Sequence, residues 1–348
     1  MTDATVPDDQ SGTPTDPIAI VFPGQGSQAP GMGKLVFEHS EAARATFDEA
    51  SSVLGMDVAK LCFDSTEDDL ATTHNTQPAV LTTSVAIFRA MGEKLNEVGG
   101  TISPRLFGGH SQGLFSAAVA ASALSFKDGL LLMIERGRLM GEFNVRRPVG
   151  MAAIIGLTAD RVRELCDDAT EGDHSRVDVA NLNDETQIVI SGDVSALERA
   201  MELAKSLKGK AAIRLKLKVT SHTPLSNDQS AEFATIMRDV PFEAPERPIV
   251  SNITAELLRT AADVRAEFEA QLRSPVLWAE NVKRMTREGV DLLIEVGPGH
   301  VLAGMAKRIS KELTVVSLDD AKEQPIPISV LPTEYLAANR LATKPLAQ

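Results

Sequence analysis

The pentapeptide Gly109-His110-Ser111-Gln112-Gly113 most constrains how this chain can fold. It follows Arg105-Leu106-Phe107-Gly108, which reads as the end of a strand, and precedes a small-residue helical run over 114–124. In a G-x-S-x-G pattern between strand and helix, the glycines permit a turn too tight for β-carbons. The serine hydroxyl then stands out at the helix N-terminus. There it meets free main-chain N–H groups able to hold a developing oxyanion. Such a serine points to acyl transfer or hydrolysis through a serine ester. A glycine-rich turn with an exposed serine has the same letters, so the rest of the chain has to decide.

The surroundings favour an α/β fold. Ile18-Ala19-Ile20-Val21-Phe22 is a short apolar strand, and helical spacing follows over 34–54, 67–70 and 77–98. After the elbow strand and helix comes a further helix over 127–143. Alternation of this kind predicts a mainly parallel sheet. From residue 148 the texture changes to strand 150–156, helix 159–169, strands 177–182 and 187–191, helix 194–207 and strand 211–219. That βαββαβ order is the order of a ferredoxin-like unit. A subdomain over 148–215 is therefore predicted, inserted into a core of 18–147 and 216–320. The core resumes with strand 247–252, a helix near 262–272 and strand 292–296. Residues 1–17 are rich in Asp, Thr and Pro and read as a disordered leader. Residues 321–348 carry Pro325, Pro327, Pro332 and Pro345 and read as an extended arm.

Composition removes several function classes. Apolar residues make up 43% of the 348, enough for a substantial core. A net charge of −13 argues against a general binder of nucleic acid or anionic membranes. The longest apolar stretch, over 115–126, is too short to span a bilayer, and no secretory signal is visible at the N-terminus. Cys62 and Cys166 lie far apart in no metal-like spacing, as expected of buried thiols in a reducing compartment. A cytoplasmic location is expected.

Six histidines could serve the serine as base. His39, His74 and His174 fall in charged or polar stretches, and His300 follows Gly297-Pro298-Gly299, where it could cap a helix. His110 adjoins the serine, but neighbouring side chains at a turn diverge. His222 follows the alternating run Ile213, Leu215, Leu217, Val219 and sits in Thr220-Ser221-His222-Thr223-Pro224. A histidine at a strand end beside a rigid turn suits catalysis, although a structural histidine fits the spacing too. No acid between serine and histidine stands out as a third member. A main-chain carbonyl could orient the imidazole instead, leaving a dyad.

Three other stretches carry chemistry. Phe22-Pro23-Gly24-Gln25-Gly26-Ser27-Gln28 follows the first strand, but Ala29 breaks the G-x-G-x-x-G spacing of a dinucleotide fingerprint. Such a loop beside an elbow could instead donate an N–H to an oxyanion. Arg136 and Arg138 lie two apart on a helix, so both cannot face one pocket. A guanidinium is the natural fork for a substrate carboxylate, and a surface salt bridge is the plainer alternative. Lys205, Lys208, Lys210, Arg214, Lys216 and Lys218 form a basic run suited to a solvated face or to an acidic partner.

Taken in order, Phe22-Pro-Gly-Gln-Gly-Ser-Gln28, Thr76-Gln77-Pro78, Gly109-His-Ser-Gln-Gly113, Arg136-Gly137 with Met140, Ser221-His222 and Glu295-Val-Gly-Pro-Gly299 resemble the malonyl-CoA:acyl-carrier-protein transacylases and related acyltransferase domains of fatty-acid and polyketide synthases. The resemblance spans about 18–320. It implies an α/β-hydrolase-like core with a ferredoxin-like insert. It makes Ser111 the nucleophile, His222 the general base and acid, and Arg136 the grip on a malonyl carboxylate. Main-chain N–H groups of Gln25 and Gln112 would form the oxyanion hole. Gln77 would line the pocket, with His110 and Ser221 in support. Ser251-Asn252 resembles the segment whose carbonyl steadies the histidine. An acyl-CoA and an acyl carrier protein are the implied partners, with no metal or redox cofactor. Gln112 and Leu114 stand where standalone enzymes usually carry Leu and Glu. That leaves methylmalonyl or another acyl group open. The rival readings are a carrier-protein thioester hydrolase, which need not retain Arg136, and a docking module without activity, against which Ser111 and His222 both count.

Overall fold

The computed structural model describes residues 15–217 and 219–318. Its core is a six-stranded sheet in the order β10-β9-β1-β2-β7-β8, where β1 is Asp16–Phe22, β2 Pro104–Gly109, β7 Ile249–Val250, β8 Leu257–Leu258, β9 Leu292–Glu295 and β10 Thr314–Ser317. All neighbours run parallel except the short β7–β8 hairpin. β1 is apolar without alternation because both its faces are covered. Ile18, Ile20 and Phe22 pack into a large cluster with the helices Glu41–Leu54, Thr73–Glu97 and Phe126–Arg146. Ala19 and Val21 face Trp278, Leu302 and Met305 on the other side.

The second sheet is antiparallel, in the order β4-β5-β3-β6, with β3 Val149–Ile155, β4 Val177–Leu182, β5 Gln187–Asp193 and β6 Ala211–Arg214. The helices Ala159–Ala169 and Val194–Ser206 cover one face and bury Val162, Leu165, Leu197 and Ala200 against Ile154, Ile188 and Ile190. Counted within the unit, the order 2-3-1-4 is that of a ferredoxin-like fold. Main-chain bonds tie it to the core, Leu182 N–H to the Val276 carbonyl and Val276 N–H to that of Ala180.

Several boundaries differ from expectation for identifiable reasons. The helix expected over 34–54 breaks at Ser40, which is extended and whose hydroxyl caps the second piece by accepting from Ala43 N–H. The strand expected over 211–219 ends at Arg214, because β6 is an edge strand and the chain beyond it turns to line a cavity. The strand over 247–252 shrinks to β7. Asp16 and Pro17 belong to β1 rather than to a leader. Residues 1–14 of that leader and the C-terminal arm over 321–348 lie outside the described residues. His300 occupies the N-cap of helix Val301–Ile309, yet its side chain makes no capping bond. Among the described residues, no helix is long and apolar enough to cross a membrane.

Candidate active site

The elbow is built by close approach. A β-carbon on Gly109 would lie 2.3 Å from the Gly113 carbonyl, and one on Gly113 would lie 2.1 Å from the carbonyl oxygen of Phe22. Gly24 presses equally hard on the His110 carbonyl, at 2.4 Å from where its β-carbon would be. These glycines let β1, the loop after it and the helix Gly113–Ala120 crowd around one turn. Ser111 itself holds the left-handed conformation, at φ 54°. Asn252 pins both sides of the turn: its Oδ1 accepts from Ser111 N–H at 2.9 Å and its Nδ2 donates to the Gly109 carbonyl at 2.7 Å.

His222 comes from the segment that leaves β6. Its Nε2 lies 2.7 Å from Ser111 Oγ, and its Nδ1 lies 2.9 Å from the main-chain oxygen of Gln271. A carbonyl can only accept, so Nδ1 carries the proton and Nε2 offers a lone pair to the serine hydroxyl. Burial, with the nearby Arg136 charge, pushes the imidazole pKa down to about 3. The ring is therefore neutral across the physiological range, with the Nε2 lone pair facing the serine hydroxyl. The carbonyl that holds it belongs to Gln271 and not to Ser251-Asn252, which corrects the expectation for Asn252.

Arg136 lies on helix Phe126–Arg146 and is 1% exposed. Its Nη2 donates to Ser111 Oγ at 3.2 Å and to Gln271 Oε1 at 3.4 Å, and its Nη1 donates to Gln77 Oε1 at 3.1 Å. Its Nε has no partner, and among the described residues no carboxylate forms an ion pair with it. Burial lowers its pKa to about 10, which leaves it charged near neutrality. An unpaired buried cation is costly and favours an anionic ligand. Arg138 points the other way, to Glu135, Glu142 and Glu232 in solvent. Gln77 is fully buried behind Arg136, with its Nε2 donating to Met140 Sδ, and so positions the guanidinium rather than lining the cavity.

A cavity of about 460 Å³ opens over this group, lined by Gln25, Ser111, Arg136, Met140, Ser221 and His222 among others. The main-chain N–H groups of Gln25 and Gln112 have no hydrogen-bond partner among the described residues. His110 turns away from the serine, and its Nε2 lies 3.0 Å from Asn183 Oδ1 of the ferredoxin-like unit. Burial lowers its pKa. Of the basic run, Lys216 lines the cavity and Lys205 pairs with Glu202 in solvent, while Lys218 lies outside the described residues. Gln271 is a site residue that the sequence does not mark. Its contribution to His222 is a main-chain carbonyl, which every residue has, so no residue type or spacing marks it.

An elbow serine bonded to a neutral imidazole, on a parallel α/β core, is equipped to carry an acyl group. Fold and site together define an acyltransferase. Residues 19–327 match the acyl transferase domain family. The chain is 38% identical over 317 residues to the malonyl CoA-acyl carrier protein transacylase of Bacillus subtilis (strain 168), covering 91% of this chain and 98% of that one. It superposes with a TM-score of 0.82 on the acyl carrier protein S-malonyltransferase of Vibrio cholerae, at 39% identity over 88% of this chain and 98% of that one. The same score relates it to a malonyl-transacylase solved in complex with its type II polyketide-synthase acyl-carrier protein, at 37% identity over 87% of this chain and 96% of that one. The chain belongs to the malonyl-CoA:acyl-carrier-protein transacylases of the acyl transferase family.

Proposed function

We propose that this enzyme moves a malonyl group from malonyl-CoA to the phosphopantetheine thiol of an acyl carrier protein, by way of an ester on Ser111. The observation that carries the reading is the meeting of two groups on one oxygen: Ser111 Oγ is within reach of both His222 Nε2 and Arg136 Nη2.

In the first half-reaction, His222 Nε2 takes the hydroxyl proton as Oγ attacks the thioester carbon. The oxyanion of the tetrahedral intermediate accepts from the N–H groups of Gln25 and Gln112, each worth about 3 kcal/mol. The C–S bond breaks, and the CoA sulfur leaves with the proton from His222. In the second, the carrier thiol gives its proton to His222 and its sulfur attacks the ester carbon. The C–O bond then breaks and Oγ recovers the proton. Arg136 donates to the malonyl carboxylate, giving its charge the anion it lacks in the free enzyme. A simple fatty acyl chain would leave that cation buried and unpaired.

Every proton in this cycle passes through His222, so the chemistry calls on no metal or redox cofactor. The two free, buried cysteines suit a reducing compartment, and we assign the enzyme to the cytoplasm. The test follows radiolabelled malonyl groups from CoA in the presence of holo acyl carrier protein. Label on the carrier supports transfer, whereas its release as free malonate would make the enzyme a hydrolase.

A further inference from the structure

Glu267 is a buried carboxylate that the reaction as described does not use. It lies on helix Ala261–Gln271, one turn before Gln271, and is 5% exposed. Its Oε2 accepts from Ser251 Oγ at 2.6 Å and its Oε1 from Asn252 N–H at 2.8 Å. The Ser251 hydroxyl oxygen already receives Ile253 N–H, Thr254 N–H and the Thr254 hydroxyl. Its own proton must therefore point to Glu267. Both carboxyl oxygens are thus acceptors, which is the inventory of the ionised form.

We infer that Glu267 is a positioning residue for the nucleophile: its carboxylate fixes the Ser251–Asn252 turn so that Asn252 can clamp both sides of the elbow. The path is short. Glu267 holds Asn252 N–H, Asn252 holds Ser111 N–H and the Gly109 carbonyl, and Gln271 Nε2 donates to the Ser111 carbonyl at 3.0 Å. Gln271 also steadies His222 through its main-chain oxygen. One turn of one helix therefore sets both the elbow and the base.

Among the described residues no cation pairs with Glu267. On its own helix, Arg265 turns to the carbonyls of Met237 and Val240, and Asp263 is the partner in a capping box. Glu256, past the turn, and Arg284, on helix Trp278–Arg287, pair with each other, and on that helix Glu280 pairs with Lys283. Helix Asn227–Ile236 carries Glu232, which binds Arg138, and Asp228. Helix Gly113–Ala120 has no ionisable side chain. With nothing positive beside it, burial raises the carboxyl to about 7. Acidification through that point replaces an acceptor by a donor and removes the clamp's anchor.

The inference rests on Ser111 as nucleophile. Its test is the single-turnover acylation of Ser111 by malonyl-CoA, measured by quenched intact mass from about pH 8 to about pH 6. The wild-type rate is expected to fall as pH drops through about 7, where the Glu267 carboxyl takes up its proton. Glu267→Gln is expected to be folded, at least tenfold slower at about pH 8, with KM within about twofold, and to lack that fall. A variant with the wild-type rate, or a slow one that keeps the wild-type fall, overturns the inference and leaves the function standing. Absence of any wild-type adduct overturns both. If Glu267→Gln fails to fold, carbon-13 NMR of the assigned Glu267 carboxyl in the wild type replaces it. A titration coinciding with the fall in rate supports the inference, and one displaced from it overturns it.

Discussion

Ser111 Oγ and His222 Nε2 meet at 2.7 Å, and both residues hold left-handed backbone conformations, at φ 54° and φ 64°. Residues with a β-carbon avoid that region, at a cost of order 1–3 kcal/mol each. The two are held there by neighbours. Asn252 Oδ1 takes the N–H of Ser111, and the Leu272 carbonyl takes that of His222 at 2.6 Å. The meeting of hydroxyl and imidazole is thus maintained against local preference by bonds from 251–252 and 271–272.

Glycine adopts the Ser111 conformation freely. Ser111→Gly is expected to be more stable than Ser111→Ala by about 1 kcal/mol, with both inactive. Denaturant midpoints measure the difference, and equal midpoints would show that the turn is unstrained.

His222 adds an acid sensitivity. Its folded pKa, about 3, lies below the usual histidine value of 6.5. The unfolded chain therefore takes up the proton first. The associated stability is full above about pH 6.5 and is lost as pH falls toward 3, by at most about 1.4 kcal/mol per pH unit. His222→Gln should lose less stability than wild type between about pH 7 and about pH 5. Parallel urea profiles for the two proteins would show that the imidazole does not resist protonation.

The contact between elbow and first strand leaves no room. Gly113→Ala would bring a methyl to within 2.1 Å of the Phe22 carbonyl oxygen. The backbone of β1 or of the elbow must then shift. We expect destabilisation above about 4 kcal/mol, or insolubility. Gly26→Ala, where a β-carbon meets nothing within 4 Å, should be milder, carrying only the strain of its φ of 105°. Thermal melts of the two variants check the ranking.

The proposed role of Arg136 is selectivity for a carboxylate-bearing acyl group. Arg136→Ala should weaken malonyl transfer by about 3 kcal/mol, roughly hundredfold, and acetyl transfer far less. Competition between malonyl-CoA and acetyl-CoA, read by the mass of the adduct, measures this. Equal losses would make the arginine structural.

Much of this was legible in the chain. The apolar run at 18–22, the glycines of the elbow and the βαββαβ order announce the two sheets, because each reflects local sterics or burial. Ser111, His222 and Arg136 could be named from residue type and a family resemblance. What escaped was what depends on distant main chain. The Gln271 carbonyl carries no signature, and Asn252 serves the serine rather than the histidine through a side chain whose reach only the fold reveals. The break at Ser40 and the early end of β6 were hidden for a similar reason: a cap and an edge are properties of neighbours.

In the proposed mechanism Ser111 carries the acyl group between donor and carrier. Peptide mapping by mass spectrometry, after brief mixing with malonyl-CoA, reads this at the residue itself. A malonyl ester is expected on Ser111 and should disappear when holo carrier protein is added, with the carrier gaining the group. A malonylated carrier produced by the Ser111→Ala protein, or an adduct on another residue of the wild type, would contradict it.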